Sequence, residues 1–435
     1  MSKFDLESGL SLDQRLREQG PMNLEQAYET LERLQLDGMV LAEPVNVFHL
    51  LGYWPQLALT RAGQPPTTFA LLTRDQRQSP GFVTSRFIYY YTYVDGGFTR
   101  DLQVHLYLEA DDDPNKALAP AEVDSTKEFP DLQAAPLSDI ERDRRAALDA
   151  AQLARATHAN AGAALMRAMQ AMGLDRGRIA FDHPLIEAIG IRHGHRGTLV
   201  PADQALGWIR LVKSPLELEL MRRASRANVA AVLAVAQEIR AGATYHELRE
   251  RFACEAAARG NRAVFLTLDR VSSELSAHRV ADGQTFFIDG VSHHRHYHGD
   301  YARTVFVGEP HAAARTAARA VTHAWRAIRE RLKPGLKYSD IVNIGKESIK
   351  KGGFDVLVGF GPHSVGLAHT DEPGADAGGF HRKLDLTLQE NMVLSVDCPV
   401  MNTGIGGSAH VEDLMLITAD GAEPLHDIDE SILSI

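Results

Sequence analysis

Two apolar runs each carry an aspartate where a core residue is expected. In Phe286-Phe287-Ile288-Asp289-Gly290-Val291 and in the run from Tyr297 through Asp300 to Val307, the aromatic and β-branched content predicts strands. The polar Ser292 to Arg295 between them reads as a hairpin connection. A turn centred near His294 and Arg295 would set Asp289 opposite Asp300, and directly opposed residues have Cβ atoms about 4.5–5.5 Å apart. Two carboxylates aimed at one spot repel unless a cation or a proton intervenes. A bound metal ion, or a pair, is the expected counter-ion. Strand alternation would put His294, His296 and His298 on the face of Asp300. Because the aspartates already account for a cation, the histidine-rich turn, which also holds His293, is expected to be solvated or to contact substrate.

Three later stretches place further ligand types in apolar or glycine-flanked settings. His363 lies in Gly361-Pro362-His363-Ser364-Val365-Gly366, Asp397 follows the apolar Met392 to Val396, and Glu412 precedes Leu414-Met415-Leu416-Ile417. Singly, an aspartate at a strand end is a turn or cap residue and a lone histidine is a satisfied polar group. As an ordered set, four carboxylates and one imidazole suit Mn²⁺, Co²⁺, Fe²⁺ or Zn²⁺ better than a soft thiolate site would.

Positioning such a set requires a sheet with helices behind it. Ser214-Pro215 opens a helix running to about Arg240, and Thr244-Tyr245-His246-Glu247 is a capping box that opens another to about Arg259. After the hairpin, His311 to Leu332 and Ser339 to Lys351 have helical periodicity, and the remainder is strand-rich. Upstream, helical Asn23 to Leu36 leads into a buried strand at Met39 to Ala42, with strands at Thr67 to Leu72 and at the tyrosine-rich Phe87 to Val94. Asp111 to Asp131 reads as a surface loop, Ser138 to Met172 as one long alanine-rich helix, and Arg178 to Asp182 as a strand. Alternating helix and strand predicts an α/β N-terminal domain over 1–205 and an α+β domain over 206–435.

Composition narrows the function. A chain of 435 residues with 44% hydrophobic content can fill two cores. A net charge of -11 disfavours nucleic acid and anionic membrane surfaces as partners. The two cysteines, Cys254 and Cys398, are too few for a disulfide scaffold, and neither a secretory signal nor a membrane-length apolar run is present. A cytoplasmic protein is expected.

The order Asp289, Asp300, His363, Asp397, Glu412 resembles that of the pita-bread metallopeptidases, the family of prolidase, aminopeptidase P, methionine aminopeptidase and creatinase. The stretch Arg210 to Arg223 resembles the entry to the catalytic domain in the prolidase, aminopeptidase P and creatinase branch. The resemblance implies a pita-bread catalytic domain and one or two divalent transition metal ions (Mn²⁺, Zn²⁺ or Co²⁺) on Asp289, Asp300, His363, Asp397 and Glu412. It also implies a substrate-handling pair at His278 and His369, with Asp397 taking a proton from the attacking water. The implied activity is hydrolysis of short peptides, as an Xaa-Pro dipeptidase or aminopeptidase, by a homodimer whose contact could include the Tyr89 to Tyr93 stretch. The alternatives are a non-peptidase hydrolase or lyase on the same fold and a catalytically silent peptide-binding module. The chain departs from the family pattern in holding Asp397 where glutamate is usual, Pro362-His363-Ser364 where Gly-His-Gly is usual, and Cys398-Pro399 after the acid. It also has six residues from His363 to His369 where seven are common, and a shorter connection from His278 to Asp289.

Overall fold

The computed structural model describes residues 6–55, 64–89, 100–117, 135–143, 145–146, 157–269, 271, 273, 277–354, 359–376, 381–400 and 406–435. They fall into two compact units, Met1–Ile209 and Arg210–Ile435.

In the first unit, the described strands are β1 (Gly38–Leu41), β2 (Thr68–Thr73), β3 (Gly81–Ser85), β4 (Gln103–Glu109), β5 (Thr157–Asn160), β6 (Arg178–Phe181) and β7 (Thr198–Pro201). They form a mixed sheet in the order β5-β4-β3-β2-β1-β6-β7. Alternate residues feed two cores, Met39, Leu41, Ala70 and Leu72 on one face and Val40, Phe69 and Leu71 on the other. Burial on both faces is why these strands read as unbroken apolar runs.

Two expectations fail in this unit. The long helix from Ser138 to Met172 is interrupted, because Thr157–Asn160 is a strand paired in parallel with β4. A new helix, Ala161–Ala171, then starts from the Asn160 cap, whose Oδ1 accepts from Ala163 N at 2.9 Å. Edge pairing and the cap outweigh the helical bias of the alanines. The strand expected from Phe87 is also corrected: residues 86–89 are helical, and Ser85 Oγ accepts from Ile88 N at 3.1 Å. Tyr89 is buried against Phe82, and Tyr90 to Tyr93 lie outside the described residues.

The second unit contains β8 (Arg262–Leu268), β9 (Thr285–His294), β10 (Tyr297–Phe306), β11 (Gly361–Ser364), β12 (Gly374–Asp376), β13 (His381–Lys383), β14 (Val393–Val400), β15 (Ala409–Asp413), β16 (Met415–Ile417), β17 (Ala422–Pro424) and β18 (Ile432–Ser434). The main sheet runs β17-β16-β14-β15-β10-β9-β8, with β11 on β14 and β18 on β10. Ser214 and Thr244 cap the helices Pro215–Ala236 and Tyr245–Ala258 through capping boxes, as their sequences predict. Two more helices, Ala312–Arg329 and Tyr338–Lys351, follow the hairpin.

The helix Pro215–Ala236 lies against β9 and β10, and two glycines permit the approach. A Cβ on Gly299 would stand 2.8 Å from Ala224 O, and one on Gly290 would stand 2.5 Å from Val232 Cγ2. Asn228 locks the contact, its Nδ2 donating to Gly290 O at 2.7 Å while its Oδ1 accepts from Ser292 Oγ at 2.7 Å. Gly290 and Gly299 neighbour Asp289 and Asp300, so the face given to the helix leaves the aspartates on the opposite face. Gly299→Ala meets rigid backbone and is expected to cost about 1–3 kcal/mol. For a unit of this size that is a fall in Tm of about 2–4 °C per kcal/mol, read by calorimetry.

Candidate metal centre

The β9–β10 hairpin closes through Arg295 and His296, both at positive φ (48° and 70°), the backbone of a two-residue type I′ turn. The turn is therefore one residue further along the chain than the sequence suggests, and Ser292 to His294 remain in β9. Asp289 pairs with Ala302 and Asp300 with Val291, so the aspartates are diagonal neighbours on one face instead of directly opposed. The same shift pairs His298 with His293 and sends His294 to the other face with Tyr297. The ring of His293 stacks on His296 at 5.0 Å and approaches His298 at 5.4 Å.

Glu412 joins the aspartates by register. On β15 it pairs with Ala302, so Asp289, Ala302 and Glu412 stand in a row across three strands, with a methyl group between two carboxylates. His363 and Asp397 arrive on the antiparallel pair β11–β14, where Gly361 opposes Asp397 and His363 opposes Ser395. A Cβ on Gly361 would come within 2.8 Å of Asp397 Oδ2, so the missing side chain leaves room for the carboxylate.

The structure thus brings together Asp289, Asp300, His363, Asp397 and Glu412. Glu412 spans the cluster. Its Oε1 accepts from Ser395 Oγ at 2.7 Å and lies 3.5 Å from His363 Nε2, and its Oε2 lies 3.1 Å from His410 Nε2. His363 Nε2 is also 3.9 Å from Asp300 Oδ2. Asp397 is the open member, its side chain 44% exposed, whereas Asp300 is fully buried.

His369 is brought in as well, its Nε2 3.1 Å from Asp300 Oδ2 and its ring 4.9 Å from that of His363. The short loop between these histidines is folded by Asp371. Its Oδ2 accepts from Leu367 N at 2.8 Å, its backbone N donates to Ser364 O, and Arg210 Nη1 donates to its Oδ1 at 3.2 Å. His298 N donates to Gly366 O at 2.9 Å and so ties this loop to the hairpin.

His278 is not brought to the cluster. It is exposed, with its ring edge-on to Tyr245 at 5.9 Å and its carbonyl accepting from Tyr245 N. Cys398 points away from Asp397 by strand alternation, opposite Val411, and burial pushes its thiol well above the ordinary range. It is not a ligand candidate.

One imidazole was missed. His410 is buried, with Nε2 between Glu412 and Asp397, 3.1 Å and 3.7 Å from their nearest oxygens. The available signal was its period-two spacing from Glu412 on a strand.

The electrostatics describe a site built for positive charge. Burial, followed by repulsion from Glu412, holds the carboxyls of Asp289, Asp300 and Asp397 above their usual range. Burial opposes ionisation of Glu412, but the neighbouring His363 and His410 win and hold it low. Burial likewise disfavours the His410 imidazolium, yet Glu412 raises it to about 9. Among the described residues, Asp289 Oδ1, both Asp300 oxygens, and Nδ1 of His363 and of His410 are buried without a hydrogen-bond partner. Orphaned buried oxygens converging with imidazoles, without thiolates, fit a divalent cation.

Comparison with known proteins agrees. The sequence profile of metallopeptidase family M24 matches residues 219–419. An Xaa-Pro dipeptidase of Pyrococcus furiosus is 26% identical over 242 residues, covering 53% of this chain and 67% of that protein. A probable dipeptidase PepE of Mycobacterium tuberculosis is 24% identical over 261 residues, 58% of this chain and 66% of that one. The chain thus aligns with about two thirds of the length of each. Among solved structures, a dipeptidase from Pyrococcus horikoshii superposes with a TM-score of 0.67 over 95% of this chain and 100% of its own, at 16% identity, a likeness of fold.

Proposed function

We propose, from the premise that residues 219–419 belong to metallopeptidase family M24, that this chain is a metal-dependent exopeptidase of the Xaa-Pro dipeptidase type. Its chemistry is assigned to the domain 206–435. The observation that carries the proposal is the convergence of Asp289, Asp300, His363, Asp397 and Glu412, with buried oxygens lacking partners, on one face of the sheet. These five residues are assigned as ligands of one or two divalent ions, with Mn²⁺, Zn²⁺ and Co²⁺ as candidates. When bound, such ions would supply Lewis acidity toward a water and toward the scissile carbonyl.

The chain's own groups divide the remaining work. Glu412 stands between two imidazoles, with His363 Nε2 3.5 Å from one oxygen and His410 Nε2 3.1 Å from the other. Asp397, the most exposed acid, is placed to accept the water's proton. His369, 36% exposed beside Asp300, is placed to donate to the carbonyl oxygen as negative charge develops there. His278 is left out of this assignment, since it stands on Tyr245. The relatives' names support an Xaa-Pro dipeptide as substrate. Cytoplasmic location and a homodimer belong to the same reading. No helix among the described residues is long and apolar enough to cross a membrane.

The test is a panel of Xaa-Pro and Xaa-Ala peptides offered to protein reconstituted with each metal. Hydrolysis of Xaa-Pro dipeptides that is lost to a chelator supports the proposal. Absence of hydrolysis with any metal would favour a silent peptide-binding module. Asp397→Glu sharpens the assignment. The 44% exposure of Asp397 leaves space for one more CH₂, and the variant is expected to bind metal about tenfold more tightly and so to retain more of it. Elemental analysis after dialysis reads this, and lower occupancy would mean that the pocket is built around the shorter acid.

A further inference from the structure

His410 has no place in the five-ligand set, and its role rests on the metallopeptidase reading above. It is 2% exposed. It lies on β15 two residues before Glu412 and opposite Pro399, so it projects from the face that carries Asp397 and Glu412. The ring of Phe287 meets it edge-on at 5.0 Å and fixes its plane. Its Nε2 is 3.1 Å from Glu412 Oε2, and its Nδ1 is buried without a hydrogen-bond partner.

His363, the imidazole already in the set, has the same surroundings on the other side of Glu412. Its Nε2 is 3.5 Å from Glu412 Oε1, and its Nδ1 is likewise buried without a partner. Asp289, His410 and Glu412 each offer a ligand atom, all within 4.8 Å of one another, and His363, Asp397 and Glu412 do the same. Asp300 stands with His363, and Asp289 with His410. We infer that His410 is a metal ligand, and that the centre consists of two halves of like composition, one with Asp289 and His410 and the other with Asp300 and His363, sharing Glu412.

A hydrogen bond to Glu412 alone is a weaker account, because it leaves the buried Asp289 Oδ1 with nothing to meet. An imidazole in each half also has a chemical consequence. It moves the Asp289 half from an all-oxygen set, suited to Mn²⁺, toward one that holds Zn²⁺ or Co²⁺.

The discriminating variant is His410→Gln. The carboxamide keeps a donor aimed at Glu412 and removes the imidazole nitrogen. Metal-free wild type and variant are titrated with Co²⁺, following affinity by calorimetry and the ligand field by visible absorption. Wild type is expected to bind two equivalents. The variant should bind one as wild type does and the other about tenfold or more weakly, with a changed absorption band for the weakened ion. Two equivalents bound by the variant with wild-type affinity and an unchanged spectrum would overturn the inference and leave the peptidase reading standing. Failure of wild type to bind Co²⁺ would overturn both. If the variant does not fold, the Co²⁺-loaded wild type decides. An imidazole N–H resonance shifted by the paramagnetic ion is expected to appear with each equivalent, and none appearing with one of the two equivalents would refute the ligand role.

Discussion

Asp300→Asn is expected to abolish hydrolysis of Xaa-Pro dipeptides and, at the same time, to stabilise the metal-free protein. Asp300 is fully buried, neither of its oxygens has a hydrogen-bond partner, and Glu412 and Asp397 add repulsion to the cost of burying its charge. The imidazole of His363, 3.9 Å away, offsets only part of that cost, and the carboxyl stays above its usual range. An uncharged isostere relieves the cost, and gains of about 0.5–2 kcal/mol are usual when a strained functional residue is relaxed. For a unit of this size the metal-free Tm should rise by roughly 1–8 °C. Activity should fall by at least about 100-fold, because even partners outside the ligand set alter metal affinity or activity by about 10–100-fold. Calorimetry of the metal-free proteins and a dipeptide assay of the loaded ones read the two effects. A metal-free variant less stable than wild type would mean that Asp300 is retained for packing, contrary to this account.

Asp413→Asn is expected to act in the opposite sense, lowering stability before chemistry. Asp413 lies beside Glu412 in sequence but faces away from it on β15. Its Oδ1 accepts from Arg303 Nη2 at 2.7 Å and lies 2.8 Å from His426 Nε2, and its Oδ2 accepts from Trp325 Nε1 at 2.8 Å. Arg303 is 1% exposed, stacks over Tyr301 at 3.9 Å, and donates to Glu412 O at 2.9 Å. Removing the negative charge strands that guanidinium, and breaking a buried pair in this way costs about 3–5 kcal/mol. The expected fall in Tm is roughly 6–20 °C. Burial alone would raise the Asp413 carboxyl, but the Arg303 charge and the His426 contact bring it down to about 2. A carboxyl lower in the folded than in the unfolded chain, where it is about 3.9, contributes stability above the unfolded value and loses it as the pH falls through the folded one. The deficit of the variant should therefore be full above pH ~4 and shrink toward pH ~2. A deficit independent of pH would show that shape, not charge, is what Asp413 supplies.

The acids of the candidate site were legible in the sequence because each interrupts or borders an apolar run, and a charge in a strand core demands a partner. The capped helices were legible for a similarly local reason, since Ser214 with Glu217 and Thr244 with Glu247 spell out the reciprocal hydrogen bonds that the structure contains. Register was not legible. The turn at Arg295 and His296 uses positive φ without the glycine or asparagine that would announce it, so the hairpin centre was misplaced by one residue and the faces of the histidines with it. The strand Thr157–Asn160 was hidden for the converse reason, because alanine-rich flanks give a helical pattern that only pairing with β4 overrides. His410 escaped notice because a histidine next to acids looks like an ordinary polar neighbour. Only the pairing of Ala302 with Glu412 reveals that this face points into the carboxylate row.

The most direct test is anomalous diffraction from crystals grown with Co²⁺ or Zn²⁺, measured on either side of the metal's absorption edge. The account predicts anomalous peaks among Asp289, Asp300, His363, Asp397 and Glu412, with Glu412 adjacent to each. Fully loaded crystals without an anomalous peak among these five side chains would contradict it.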